Sequence, residues 1–203
     1  MRTSIWLVRH AQTVANREQR YQSHTDTPLT DYGQRQSATL AHRLRRIPLQ
    51  QVVVSPAART RTTAAALLAD RSLLVQPIVA PAWAETHHGR WEGLTYREVL
   101  ARFPNEARER FADTLHGRAQ GGESLAEVAA RVAAGWRDLL HQFPGGRILV
   151  VTHATPIKLI LCALTGMPIS QHWQWRIDLG SITALDVYAS GAIIRTVNEV
   201  PRL

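Results

Sequence analysis

The chain has 203 residues, of which 45% are hydrophobic, and this size and composition suit one domain that buries a core. Its formal net charge is +8, and Lys158 is the one lysine in the sequence, so nearly all the positive charge comes from arginine. The single cysteine, Cys162, excludes an internal disulfide and indicates a reducing compartment, and there is no pattern of a signal peptide or membrane span. We therefore expect a cytoplasmic protein.

Apolar and β-branched runs alternate with helical patterns along the chain. Strands are predicted at residues 4–8, 51–54, 73–78 and 147–152, and helices at residues 31–45, 57–69, 96–103, 124–141 and 156–164. The fourth of these helices begins with a capping box of Ser124 and Glu127, and capping is also the expected role of Glu123. Residues 183–188 and 192–197 flank a short glycine-containing turn, which predicts a hairpin at an antiparallel sheet edge.

This order of elements predicts an α/β fold in three layers, α/β/α, with a mostly parallel central sheet and an antiparallel edge strand. We expect one domain over residues 1–203. Residues 91–122 lack clear strand patterns, and they predict a small helical cap insertion over the edge of the sheet that carries the site.

Two of the predicted strands end at a histidine. Arg9 and His10 follow the apolar residues 5–8, and His153 follows the run at residues 148–152. Because open α/β folds bind ligands at the carboxyl ends of parallel strands, these side chains are expected to face one site. Thr155 and Pro156 are typical of an N-cap and a first helical residue, so a helix is predicted to begin there.

Several short motifs follow one another in an order that spans most of the chain. They are Arg9-His10-Ala11-Gln12-Thr13 with Asn16, Thr27-Pro28-Leu29-Thr30 with Gly33, Ser55-Pro56 with Arg59 and Thr63-Ala64, Glu85 with Gly89-Arg90-Trp91-Glu92-Gly93, Gly121-Gly122-Glu123-Ser124, and Val151-Thr152-His153. Together they resemble the histidine phosphatase superfamily, also called phosphoglycerate mutase-like. The resemblance implies that the insertion at residues 91–122 is a substrate cap.

Hydrolysis of a phosphomonoester needs a nucleophile, preset cations and a proton for the leaving oxygen. His10 is the candidate nucleophile, because a neutral imidazole can attack phosphorus and neighbouring arginines favour the neutral form. Arg9 and Arg59 are expected to clamp the phosphoryl group, Arg59 from a helix N-terminus. The resemblance assigns Glu85 as the general acid and a protonated His153 as a phosphate ligand that stabilises the transition state.

The remaining candidate residues have two interpretations each. The pKa of Glu85 is left open, since apolar surroundings and bound phosphate raise it while the arginines lower it. Asn16 is predicted to bind phosphate, and Thr13 and Gln12 to bind substrate, although all three are equally typical of loop-capping residues. Trp91 is a candidate for stacking on the substrate, whereas most tryptophans pack in a core.

Two alanines depart from the family pattern. Ala11 and Ala154 stand where the family usually has glycine, so both positions either use ordinary backbone angles or reshape the pocket, and Ala154 is a candidate substrate contact. His87 and His88 are adjacent, but without a matching set of carboxylates or cysteines they predict no metal site. We expect neither a metal nor a cofactor.

The sequence favours a phosphatase over a mutase, because the chain is compact and has Glu85-Thr86 where mutases commonly show Glu-Arg. Residues 164–177 and 181–187 resemble α-ribazole-5′-phosphate phosphatases of cobalamin biosynthesis. The expected function is a phosphomonoesterase that acts through a phosphohistidine on a small phosphorylated metabolite, with α-ribazole 5′-phosphate as the named hypothesis. The alternatives within the family are a cofactor-dependent phosphoglycerate mutase and a phosphatase of sugar phosphates or phosphoglycerates.

The arginine content bears on binding partners. Arginine suits bidentate recognition of phosphate, so the positive charge fits an anionic substrate. It also fits a non-catalytic protein that binds RNA or phospholigands, but the arginines are scattered, which is typical of a solvated surface. We expect a phosphorylated small molecule as the partner and neither nucleic acid nor a membrane, and homodimer formation is left open.

Overall fold

The computed structural model of the chain describes residues 1–69 and 76–202. The strands in this part of the chain are β1 (Thr3–Arg9), β2 (Gln51–Val54), β3 (Ile78–Val79), β4 (Arg147–Thr152), β5 (Ile182–Tyr188) and β6 (Gly191–Glu199). Of the predicted strand at residues 73–78, residues 73–75 lie outside the described part, and β3 begins at Ile78.

The α-helices are α1 (Val14–Arg17), α2 (Asp31–Leu44), α3 (Ala58–Leu68), α4 (Tyr96–Arg102), α5 (Pro104–Ala112), α6 (Leu125–Gln142) and α7 (Ala154–Thr165). Short 3₁₀ turns lie at Pro81–Trp83, Gly89–Trp91 and Ile169–Gln174. None of the described helices combines the length and the apolar composition needed to span a bilayer.

The described strands form one six-stranded sheet in the order β3-β2-β4-β1-β5-β6. The strands from β3 to β1 run parallel, whereas β5 is antiparallel to both β1 and β6. The central strands are apolar and β-branched because helices cover both of their faces. The predicted mostly parallel sheet is confirmed, and the predicted hairpin forms its antiparallel edge.

The side chains of β1 alternate between two hydrophobic cores. Ile5 and Leu7 pack with residues of α6 and α7, whereas Trp6 and Val8 pack with residues of α2 and α3. Because successive side chains of a strand point to opposite faces, this alternation places one helix pair on each face of the sheet. Burial of each large apolar side chain stabilises the fold by about 1.5–3 kcal/mol, so the central strands are firmly held where their carboxyl ends meet the site.

Residues 89–120 contain α4 and α5 and overlap the cap insertion predicted at residues 91–122; this segment is called the helical insert below. Thr95 caps α4 through a reciprocal capping box with Glu98, and Pro104 begins α5. The insert has a hydrophobic cluster of its own, formed by Trp91, Val99, Ala107 and Ala119 with Tyr21, Leu94 and Phe103 packed against it. It is therefore held together by its own apolar contacts.

The start of α7 differs from the prediction. The helix begins at Ala154, because His153 has the extended backbone of a cap residue, with φ −126° and ψ 177°. The predicted start at Pro156 is wrong by two residues. Pro156 occupies the third helical position, where the missing N–H still removes no helical hydrogen bond.

The cap of α6 is formed by the two predicted residues. Ser124 Oγ accepts from Glu127 N (3.3 Å), and the Glu127 carboxylate accepts from Ser124 N (2.8 Å). Glu123 is not part of this cap, since its carboxylate pairs with Arg131 at 2.8 Å. The expected capping role of Glu123 is therefore wrong.

Helix α2 lies against the loop that follows β1. Thr30 caps this helix by accepting from Gly33 N (3.0 Å), and Thr30 N donates to Gln12 O (3.0 Å). A Cβ atom at Gly33 would lie 2.1 Å from Gln12 O, far inside contact distance. Gly33 thus sets how closely α2 approaches the loop that begins with His10.

Replacing Gly33 with alanine is expected to destabilise the fold, because the added methyl group forces α2 away from this loop. Overpacking of this kind costs about 1–3 kcal/mol, against a gain in helix propensity of about 1 kcal/mol. Thermal unfolding of Gly33→Ala should show a lower midpoint than wild type. The control is Gln34→Ala, a change at an exposed residue of the same helix, whose unfolding midpoint should stay close to that of wild type. A raised midpoint for Gly33→Ala would contradict the close approach of α2 to the loop.

Candidate active site

The structure brings the two strand-end histidines together. His10 follows β1 and His153 follows β4, and these strands are parallel neighbours. His10 N donates to Thr152 O (3.0 Å), and the centroids of the two imidazole rings lie 5.1 Å apart. Both rings are buried. They share the carboxyl edge of the parallel strands, where α/β folds bind ligands.

The ring of His10 is oriented by a hydrogen bond to the backbone. Nδ1 lies 2.8 Å from the carbonyl oxygen of Ala11, and because a carbonyl can only accept, Nδ1 carries the hydrogen. In the neutral ring Nε2 then holds the lone pair. Burial and then the charges of Arg59 and Arg9 hold the pKa of His10 well below its usual range, so Nε2 is available as a nucleophile at neutral pH.

His153 is held between a hydroxyl and a guanidinium group. Its Nε2 lies 2.7 Å from Ser55 Oγ, and its Nδ1 lies 3.3 Å from Arg59 Nη2. Because Arg59 can only donate, Nδ1 accepts and Nε2 donates in the neutral ring. Burial and then the charge of Arg59 hold the pKa of His153 well below its usual range. The protonated form expected from the family resemblance is therefore disfavoured by the surroundings of this ring.

Arg59 connects His153 to the loop of residues 22–26. It lies in the first turn of α3 and is 2% exposed. Its two Nη atoms donate to three backbone carbonyls of the loop, at 3.0 Å for Ser23 and at 3.4 Å for both Gln22 and Thr25. Burial lowers the pKa of Arg59, and nearby carboxylates oppose this shift. One of them, Asp26, pairs with Arg59 Nη1 at 3.5 Å, so the charge of this guanidinium beside His153 is partly compensated.

Arg9 supplies the second guanidinium group from the end of β1. Its Nη1 donates to Ile177 O (2.6 Å), whereas its Nε is buried with no partner in the part of the chain that the structure describes. Burial lowers the pKa of Arg9, and the charges of Glu85 and Asp178 oppose this shift. A buried donor without an acceptor is costly, and an oxygen of an anionic ligand would satisfy it.

Glu85 carries the carboxyl group of the site. Oε1 accepts from Thr86 N (2.8 Å), and Oε2 accepts from Thr155 N (3.5 Å). Burial raises the pKa of Glu85, but hydrogen bonds from Thr155 and Thr86 and the charges of His88 and Arg9 hold it below its usual range. The balance that the sequence left open therefore favours the ionised carboxylate.

Two cavities meet at Glu85. The His10 cavity, of about 340 Å³, is lined by residues that include Arg9, His10, Asn16, Tyr21, Glu85, His88 and Tyr96. The His153 cavity, of about 210 Å³, is lined by residues that include Ser23, His24, Asp26, Ser55, Glu85 and His153. Glu85 thus lines both cavities, one with His10 and the other with His153, whereas Arg59 lines neither. Each cavity is large enough for a small ligand.

The predicted polar residues after His10 have different positions. Asn16 lines the His10 cavity, and its Oδ1 accepts from Thr13 N (3.1 Å) and Thr13 Oγ1 (2.9 Å). Thr13 caps α1, and Gln12 Oε1 accepts from Thr30 Oγ1 (2.9 Å). Neither Thr13 nor Gln12 lines the two cavities. Both therefore act as loop-capping residues, and Asn16 alone keeps a position from which to bind phosphate.

Trp91 is not placed to stack on a substrate. It is 3% exposed within the hydrophobic cluster of the helical insert, and its Nε1 donates to Glu106 (2.5 Å). The predicted substrate contact is therefore not supported, and Trp91 is a core residue of the insert.

Both alanines in glycine positions use ordinary backbone angles, since neither has a positive φ. Ala11 is fully buried, and its N–H donates to Thr63 Oγ1 (3.1 Å). Ala154 begins α7 and packs against the core. Neither alanine lines the His10 or the His153 cavity, so the predicted substrate contact of Ala154 is not supported.

Two carboxylates that the motifs gave no role brace the loop of residues 22–26. Asp26 Oδ1 accepts from Ala58 N (3.0 Å) at the start of α3. Glu92 accepts from Ser23 Oγ (2.5 Å), Thr25 N (3.0 Å) and Thr25 Oγ1 (2.7 Å). Because this loop supplies the carbonyls that hold Arg59, both carboxylates help to position that side chain. Glu92 stands within a motif, but its partners lie too far away in sequence to be read from it.

His87 and His88 point to different neighbours. The ring of His87 stacks on that of His24 at 4.1 Å between centroids, whereas the ring of His88 lies 4.9 Å from that of Tyr21. Among the residues that the structure describes, no group of three or more histidine, cysteine or acidic side chains is arranged to hold a metal ion.

Known proteins share both the sequence and this arrangement of elements. A bifunctional protein of Mycobacterium tuberculosis is 34% identical over 199 residues, which cover 97% of this chain and 54% of that protein. The chain therefore spans about half the length of that relative. Phosphoserine phosphatase 1 of Hydrogenobacter thermophilus is 31% identical over 192 residues, which cover 95% of this chain and 90% of that enzyme.

The crystal structure of the α-ribazole phosphatase from Shigella flexneri has a TM-score of 0.90 at 30% identity, over 98% of this chain and 96% of that one. The family model of the histidine phosphatase superfamily (branch 1) matches residues 5–200. That match includes the two histidines and the two arginines of the site and nearly all of the fold around them. It confirms the resemblance inferred from the motifs. The chain belongs to the histidine phosphatase superfamily.

Proposed function

We propose that this chain is a phosphomonoesterase that hydrolyses a small phosphorylated metabolite through a phosphohistidine on His10. The observation that carries the proposal is the hydrogen bond of 2.8 Å between His10 Nδ1 and Ala11 O, which leaves the lone pair of Nε2 for attack beside Arg9 and Glu85. The two phosphatases named among the similar proteins support the same class of reaction.

In the first step His10 Nε2 attacks phosphorus. The N–P bond forms as the bond from phosphorus to the leaving oxygen breaks, and that oxygen keeps the electron pair and takes a proton from Glu85. Arg9 and Arg59 stabilise the charge on the phosphoryl oxygens, as preset cations do in phosphoryl transfer. Because two guanidinium groups supply this charge, we propose a reaction that needs no metal.

In the second step a water molecule attacks the phosphohistidine. Its proton passes to the carboxylate of Glu85, the N–P bond breaks, and the electron pair returns to His10 Nε2. Phosphate leaves, and Glu85 is again protonated for the next cycle. His153 binds a phosphoryl oxygen in both steps through Nδ1, which accepts from Arg59 in the neutral ring and carries a hydrogen in the protonated ring. The negative charge of the phosphate favours this protonated form, which the protein surroundings of the ring disfavour.

Protonation of Glu85 in the complex follows from charge balance. Its lowered pKa arises partly from the charge of Arg9, and a bound phosphate compensates that charge. The pKa of the carboxyl group therefore rises when substrate binds. A good leaving group such as p-nitrophenolate needs little of this proton, whereas an alkoxide depends on it.

We infer that α-ribazole 5′-phosphate is the first substrate to test. The similarity to the Shigella enzyme supports it, and so do the aromatic rings of Tyr21, His88 and Tyr96 along the His10 cavity, since such rings stack on flat groups. Phosphoserine is the second candidate substrate, because the Hydrogenobacter relative is a phosphoserine phosphatase.

Cys162 is buried and free. We propose that the enzyme acts in the cytoplasm, where thiols stay reduced.

Replacing His10 with alanine removes the nucleophile, so phosphate release from p-nitrophenyl phosphate should fall by about 10³-fold or more. With EDTA throughout, wild type should keep its activity, and a denaturing quench should trap acid-labile phosphoenzyme in wild type only. His141→Ala, a change at an exposed histidine of α6, should match wild type. Phosphate found on a residue other than His10 would disprove the assignment.

The lowered pKa of His10 predicts activity at acidic pH. Lowering the pKa of a histidine extends its neutral form to lower pH, so the nucleophile persists where an exposed histidine is already protonated. The measurement is kcat/KM for p-nitrophenyl phosphate against pH, corrected for titration of the substrate. This kcat/KM should change by no more than about twofold between pH 7 and pH 5.5. A nucleophilic histidine with an ordinary pKa near 6.5 would instead give a fall of about eightfold. A fall of that size would count against the proposal.

The substrate hypothesis predicts a preference among phosphate esters. kcat/KM for α-ribazole 5′-phosphate should exceed that for p-nitrophenyl phosphate by about tenfold or more, corresponding to about 1.4 kcal/mol of additional transition-state binding. Phosphoserine and 3-phosphoglycerate are assayed as further substrates. With 3-phosphoglycerate the products are also examined for isomerisation, in which the phosphoryl group moves from one oxygen of the molecule to another. Comparable rates for α-ribazole 5′-phosphate and p-nitrophenyl phosphate would refute this substrate, and isomerisation of 3-phosphoglycerate would favour a mutase.

A further inference from the structure

Arg131 of α6 binds the segment that carries Glu85. Its Nη1 donates to Ala84 O (2.8 Å) and Ala82 O (3.1 Å), and its Nη2 donates to Glu85 O (2.9 Å). The same guanidinium pairs with Glu123, through Nε to Oε1 and Nη2 to Oε2 at 2.8 Å each. One side chain thus ties three carbonyls of this segment to α6.

These contacts match the full donor capacity of Arg131. A guanidinium group has five N–H donors in a fixed planar fork, and here they face three carbonyl and two carboxylate oxygens. A lysine has three donors on one nitrogen and cannot reproduce this pattern. The interaction therefore depends on arginine and not merely on positive charge.

Glu123 extends the brace to the other side of Glu85. Its Oε2 accepts from His87 N (2.9 Å), and its backbone N–H donates to His87 O (2.9 Å). The backbone is thereby fixed at Glu85 itself and again two residues later. Glu85 is thus held by its backbone at a position where it lines both cavities.

We propose that Arg131 is a positioning residue that holds Glu85 where its carboxyl group reaches the leaving oxygen. The inference rests on the function proposed above. Arg131 lines neither cavity, so it acts through the backbone of Glu85 and not on the substrate. Proton transfer needs an approach of about 2.6–3.2 Å, and a displacement of about 1 Å costs on the order of 100-fold in rate.

The dependence on the leaving group separates positioning from a general structural role. Misplacing Glu85 should slow cleavage of an alkyl phosphate, whose alkoxide needs a proton, far more than cleavage of p-nitrophenyl phosphate. Partial unfolding or loss of phosphate binding should slow both substrates alike. The readout is the ratio of the two kcat/KM values, because kcat/KM covers the steps up to release of the alcohol and leaves out hydrolysis of the phosphohistidine, which also uses Glu85 and is common to both substrates.

The experiment compares wild type with Arg131→Met, Arg131→Lys and Glu85→Gln on p-nitrophenyl phosphate and glycerol 2-phosphate. Arg137→Met is the matched control, because Arg137 is exposed on the same helix. In Arg131→Met, kcat/KM for glycerol 2-phosphate should fall about 100-fold, with less than about threefold loss of kcat/KM for p-nitrophenyl phosphate. Arg131→Lys should not restore the rate, Glu85→Gln should show the same selective loss, and Arg137→Met should match wild type.

Equal losses on both substrates, or no loss, in a folded Arg131→Met would overturn the inference. If circular dichroism shows that this variant is unfolded, the Glu123→Gln variant tests the inference instead. It keeps the donors of Arg131 but weakens the ion pair, and it should show a smaller loss that is still selective for glycerol 2-phosphate. A non-selective loss in Glu123→Gln would overturn the inference, whereas a wild type inactive on every phosphate ester tested would overturn the proposed function itself.

Discussion

Repulsion among positive groups buried at one edge of the sheet is the constraint on which the site depends. The charges of Arg9 and Arg59 both lower the pKa values of His10 and His153. Charges interact strongly there because buried surroundings screen them poorly. Burial and this repulsion together keep the imidazole of His10 neutral, and the same buried cations favour an anion at the site. In the proposed function, binding of phosphate and readiness of the imidazole therefore share a physical cause.

The protein holds these cations mainly with uncharged acceptors, and Asp26 pairs with Arg59 at 3.5 Å. Backbone carbonyls of the loop of residues 22–26 accept from Arg59, and the carbonyl of Ile177 accepts from Arg9. The strands that carry the site are anchored by alternating side chains in two cores, and close-packed cores resist small displacements. The positions of the charged groups are thus fixed by apolar packing behind them and by mainly uncharged acceptors around them.

Residues at strand ends could be predicted from the sequence, because an apolar run and the polar residue after it are local features. This holds for His10, for His153 and for most of the sheet. The contact between Arg131 and Glu85 joins residues 46 positions apart, and no local pattern reveals it. Likewise, the motif around Trp91 does not show which way the ring faces, and the balance of burial and hydrogen bonds at Glu85 depends on atoms from several segments.

The helical insert contributes Tyr96 to the wall of the cavity that contains the nucleophile, yet its hydrophobic cluster is separate from the two cores that flank the sheet. In the proposed function, the segment that adds Tyr96 to the substrate cavity and the strands that carry the reacting groups therefore pack in separate hydrophobic clusters. If the proposed function holds, exchanging the side chains of the insert that line this cavity changes which alcohol the enzyme accepts, while the imidazoles and guanidinium groups keep their positions.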